Sequence, residues 1–165
     1  MAEVLLDSID QVLGTSTIFN EIAFPGADFQ KTDFYAEGTK AIQLYDAAVK
    51  SYFLKTFGRN PREITCECER SDEPSMVQVL HLSNGQTLNP KLADEESLVA
   101  RMIKAGEDDA TIIQTLFVSA LARQPTDSEL KNLLQVLAEY GDDRPTGLQD
   151  VAWSVLTSTE FTFNH

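Results

Sequence analysis

The sequence predicts an all-α fold, a compact multi-helix domain with a long irregular N-terminal loop region. Three observations carry this. Five segments space their apolar residues at helical intervals, and none alternates with the period of a half-buried strand. Gly14, Gly106 and Gly141 each follow such a segment, as helix stops do. The 165 residues, 42% hydrophobic and 24% charged, are enough for one domain with a real core.

The first helix opens the chain. Leu5, Leu6, Ile9, Val12 and Leu13 share one face, and Gly14 ends it. From Thr15 to Tyr45 no period holds. Phe19, Phe24, Phe29, Phe34 and Tyr35 interrupt a stretch containing Pro25, Gly26 and Gly38, which reads as an ordered, wrapped loop with a flexible tip near Gly26 to Lys31. Val49 to Phe57 adds a short helix. Ser71 or Asp72 then caps a helix with Pro74 in its first turn, and Met76, Val77, Val79, Leu80 and Leu82 cover most of its circumference.

Asn84-Gly85 marks a turn and Asn89-Pro90 a new helix start. Leu98, Val99, Met102 and Ile103 form the next stripe. Asp108 or Asp109 begins a helix that turns Ile112, Ile113, Leu116, Phe117, Ala120 and Leu121 inward. Pro125-Thr126 breaks the chain, and Thr126 with Glu129 forms a capping box. Leu130, Leu133, Leu134 and Leu137 follow at helical spacing, and Leu148, Val151, Ala152, Val155 and Leu156 give the last helix. Trp153 stands off that last stripe, where it either closes a second packing layer or marks a contact surface.

A formal charge of −13 argues against nucleic acid as a partner, because phosphate binding needs clustered Lys and Arg. It argues equally against an anionic membrane surface. No apolar run suffices to span a bilayer, so no membrane insertion is expected. The N-terminus lacks a signal peptide and starts at once as an amphipathic helix, as expected of a piece cut from something larger.

Packing alone does not account for the stretch Phe57 to Asn84. It holds Cys66 and Cys68, His81, and Arg59, Arg62 and Arg70 among Glu63, Glu67, Glu69, Asp72 and Glu73. Two thiolates can serve a soft metal, but zinc needs two more ligands, and His81 and His165 match no familiar spacing. No metal or cofactor is therefore expected, and the cysteines are expected to pack against the core. Glu67 and Glu69 would raise a neighbouring thiol's pKa, which disfavours nucleophilic catalysis. No catalytic residue is assigned. Arg59, Arg62, Cys66, Cys68, Arg70 and His81 form a candidate binding or structural loop, in which arginine–carboxylate pairs lock the chain or present a guanidinium to an acidic ligand. Asp94-Glu95-Glu96 and Glu107-Asp108-Asp109 fall at helix starts, where negative charge opposes the macrodipole.

The runs SYFLKTFGRNPREITCECERSDEPSMVQVLHLSNG, LFVSALARQPTDSEL and WSVLTSTEFTFNH resemble the C-terminal planctomycete-specific domain of unknown function. Members close large exported proteins that also carry a cytochrome c module. The family typically has Gly-Arg-Pro-Pro-Arg where this chain has Gly58-Arg59-Asn60-Pro61-Arg62, and the segment Ile18 to Glu37 is unusual. The resemblance brings no catalytic residues. It implies an extracytoplasmic parent, periplasmic or at the cell surface, of which this chain is the C-terminal portion and whose preceding domains are its partners. Three readings follow. The chain is a structural or partner-docking module whose fragment self-associates. Alternatively, residues 58–81 complete an active site with a missing domain, in polysaccharide breakdown. The weakest alternative is metal binding through Cys66, Cys68 and a histidine.

Overall fold

The structure, a computed structural model, describes residues 2–24, 28–44, 48–59 and 87–163. The fold is all-α, with one short strand pairing among the described residues. The chain divides into two compact units, Met1–Asp10 with Ser16–Gly85 and Gln11–Thr15 with Gln86–His165. Helix α1 (Ala2–Leu13) contributes residues to both. Its Leu5, Leu6, Ile9, Val12 and Leu13 are all buried, the face that the spacing predicted. Gly14 ends it with φ +69°, a left-handed angle that favours glycine, and a side chain there would have to displace the Arg101 guanidinium.

In the first unit the aromatic stretch, expected to be loop throughout, contains an antiparallel pairing. Strand β1 (Glu21–Ile22) pairs with β2 (Gln30–Lys31) in the register Glu21↔Lys31 and Ile22↔Gln30, and Ile22 also bridges to Val49. Each strand is two residues long, too short for a period of two to register. Asp7 ties this region to α1. Its Oδ1 accepts from the Ala41 amide at 2.6 Å and its Oδ2 from the Ile42 amide at 3.0 Å. Those amides open the 3-10 turn Ala41–Gln43, so a carboxylate remote in sequence supplies the cap that Lys40 cannot. Helix α2 (Tyr52–Thr56) begins where Ser51 Oγ accepts from Leu54 N. It buries Phe53 and Leu54, and Phe53 stacks on Phe57 with centroids 4.4 Å apart.

The second unit is built around one helix. Helices α3 (Leu88–Leu92), α4 (Leu98–Ala105), α5 (Asp109–Leu121), α6 (Asp127–Glu139) and α8 (Thr159–Phe163) all pack against α7 (Arg144–Leu156). Helix α7 buries Gly147, Leu148, Val151, Ala152, Val155 and Leu156, and its small residues admit neighbours on several sides. Two caps fall where the sequence placed them: Asp108 Oδ1 accepts from Thr111 N, and Thr126 and Glu129 form the capping box. A third was not anticipated, with Ser97 Oγ accepting from Ala100 N. Gly106 ends α4 in the left-handed region. Helix α3 starts slightly before Asn89-Pro90, with Pro90 in its first turn, where a missing N–H leaves nothing unpaired. Trp153 is half-buried on α7, between the two expected alternatives. The helix anticipated after Ser71 or Asp72 lies outside the described residues.

Ser97 is fully buried, so replacing it removes a cap that water cannot replace. Ser97→Ala is expected to cost about 1–2 kcal/mol, measured by urea denaturation. An unchanged midpoint would show that the Ala100 amide finds another partner.

Candidate functional site

The anticipated binding loop is described only at its first member. Arg59 follows α2, where Nη2 donates to the Leu44 carbonyl at 3.1 Å and Nε lies 3.6 Å from Glu3 Oε1. Both side chains of this ion pair are largely buried. Glu3, which reaches Arg59 from α1, is a partner beyond the local carboxylates that the sequence offers. Arg62, Cys66, Cys68, Arg70 and His81 lie outside the described residues, as do Glu63, Glu67, Glu69, Asp72 and Glu73.

A second cluster stands in the other unit, where the sequence pointed only to Glu129, as part of a capping box. Ala122 leaves α5 with φ 53°, a left-handed angle unusual for a residue with a side chain, and turns the chain so that Arg123 points back over α5. The guanidinium carbon sits 5.3 Å from the Phe117 ring centre. Arg123 Nε donates to Glu160 Oε1 at 2.6 Å and Nη2 to Glu160 Oε2 at 2.7 Å. Nη2 also donates to Glu129 Oε1 at 2.8 Å, and Nη1 to Glu129 Oε2 at 3.0 Å and to the Gln124 carbonyl at 3.1 Å. A guanidinium has five N–H groups, and each has an acceptor here. Two side-on carboxylates on one arginine fasten the end of α5 to the start of α6 and to α8.

Glu129 serves twice. Its Oε2 also accepts from the Thr126 amide at 2.7 Å and from the Thr126 hydroxyl at 2.8 Å, closing the capping box. Arg123 foremost, then the Thr126 amide and hydroxyl, lower the Glu129 carboxyl to about 2. Arg123 likewise holds Glu160 below the usual carboxylate range, and Glu160 and then Glu129 push the Arg123 guanidinium further up. Beside the cluster lies an open cleft of about 260 Å³, walled by Phe117, Leu121, Leu133 and Val155 with Ser154 and Ser158. It falls below the ~300–1,000 Å³ of typical ligand pockets.

Asp108 and Asp109 are also engaged locally. Asp108 caps α5, and its bonds to Thr111 hold its carboxyl below the ordinary value. Asp109 accepts from Arg144 Nε at 2.6 Å, and Arg144 Nη2 donates to the Glu107 carbonyl at 2.7 Å, joining the starts of α5 and α7. Among the described residues no group of three or more His, Cys, Asp or Glu is arranged to hold a metal ion. Among them, too, no helix is long and apolar enough to cross a membrane.

A family model described as "Protein of unknown function (DUF1553)", PSD1, matches residues 2–137. The chain belongs to the PSD1 family. The PSD1 match takes in the cysteine segment and the run LFVSALARQPTDSEL, hence Arg59, Arg123 and Glu129, and stops before Glu160. No curated protein and no solved structure matches the chain.

The clamp has a pH signature. A carboxyl whose folded pKa lies below its unfolded value of ~4.3 stabilises the fold above that value and loses the contribution as pH falls through the folded pKa. For Glu129 the window runs from about 4 down to about 2. The melting temperature is expected to drop more steeply across that window in the native protein than in Glu129→Gln, which has no such carboxyl to titrate. The side chains are about a third exposed, so added salt should shrink the difference. Parallel declines in the two proteins would show that the clamp contributes nothing to acid sensitivity.

Proposed function

We propose that this chain is a non-catalytic helical module that docks onto other domains of a larger exported protein of the planctomycete type. Support comes from the large apolar side chains left in water. Among the described residues nine are exposed, and six of them, Ile18, Phe24, Phe29, Phe34, Ile42 and Tyr52, fall in the aromatic stretch and its continuation in the first unit. Phe29, Phe34 and Tyr52 are 62%, 64% and 64% exposed. Exposed aromatic side chains are costly in water and are typical of contact surfaces. Phe34 meets Tyr35 edge to face at 5.1 Å, and Lys50 Nζ lies 3.3 Å from the Phe29 ring centre, so these rings are held outward rather than loosely dispersed. The saturated Arg123 cluster suits the same reading, since it holds helices together and offers no guanidinium edge to a substrate.

Mixing the chain with the separately purified remainder of its parent protein tests the proposal. A complex is expected by light scattering and calorimetry. It should weaken at least tenfold in the double variant Phe29→Asp and Phe34→Asp, with only a small change in melting temperature because both rings are mostly exposed. Absence of a complex, or a complex indifferent to that variant, would overturn docking through this surface.

A further inference from the structure

We draw no further inference here: the strongest candidate, the cleft between α5, α6, α7 and α8 beside Arg123, belongs to the site already described and has all five guanidinium donors taken by the protein's own oxygens.

Discussion

Phe161→Ala is expected to destabilise the protein by about 3–5 kcal/mol, the usual cost of emptying a buried phenylalanine site. Phe161 is 1% exposed and is the only buried residue of α8. A helix of five residues has no stability of its own. It persists because Phe161 is inserted beside α5 and α7, because Ser158 Oγ accepts from the Phe161 amide at 3.2 Å, and because Glu160 is held by Arg123. Removing the ring should therefore release the element as a whole. The residue also lies beyond the stretch matched to the PSD1 family, so the variant asks whether the end of the chain is integral to the fold. Urea denaturation measures this directly. A loss below about 1 kcal/mol, far under the core range, would make α8 a peripheral attachment.

Gly147→Ala is expected to destabilise by about 1–3 kcal/mol, the range for overfilling a packed site. The sign is the informative part, because glycine to alanine inside a helix ordinarily gains ~1 kcal/mol. Here an added methyl would sit 2.9 Å from Tyr140 Cγ and 2.9 Å from Leu137 Cδ2. The leucine methyl can swing aside. The tyrosine ring is less free, because its hydroxyl donates to Asp150 Oδ2 at 2.6 Å, a bond that also raises the Tyr140 pKa. In a Tyr140→Ala background the same replacement should become neutral or stabilising. A higher melting temperature for Gly147→Ala in the native background would refute the close packing of α6 on α7.

The helices were legible because their signals are local. Asp108, Thr126 with Glu129, and Gly106 each act within a turn of their own position, and the stripes from Leu5 and from Leu148 need only the helical period. The strand pairing was not legible, since β1 and β2 are held by backbone bonds between two-residue segments that leave no pattern in side-chain type. The candidate cluster failed to show for a different reason. Arg123 and Glu129 are close in sequence, yet Glu160 is joined to them only by the packing of α8, and no spacing rule links positions so far apart. The quoted runs LFVSALARQPTDSEL and WSVLTSTEFTFNH contain all three residues without hinting that they meet. Arg59 with Glu3 repeats the lesson, because folding brings to this arginine a carboxylate that local spacing would never pair with it.

The carboxylate of Asp7 fixes the far end of the aromatic stretch to the first helix across an interval of 34 residues. Closing a loop costs entropy that grows only with the logarithm of its length, so doubling that interval would add just about 0.6 kcal/mol. The segment between the two anchors can therefore lengthen or shorten at little cost while its ends stay pinned. Around Gly147 a single methyl is already too much. Variation in length between relatives should accordingly gather in the aromatic stretch, and a short glycine-serine insertion after Glu37, an exposed position, should leave the melting temperature nearly unchanged.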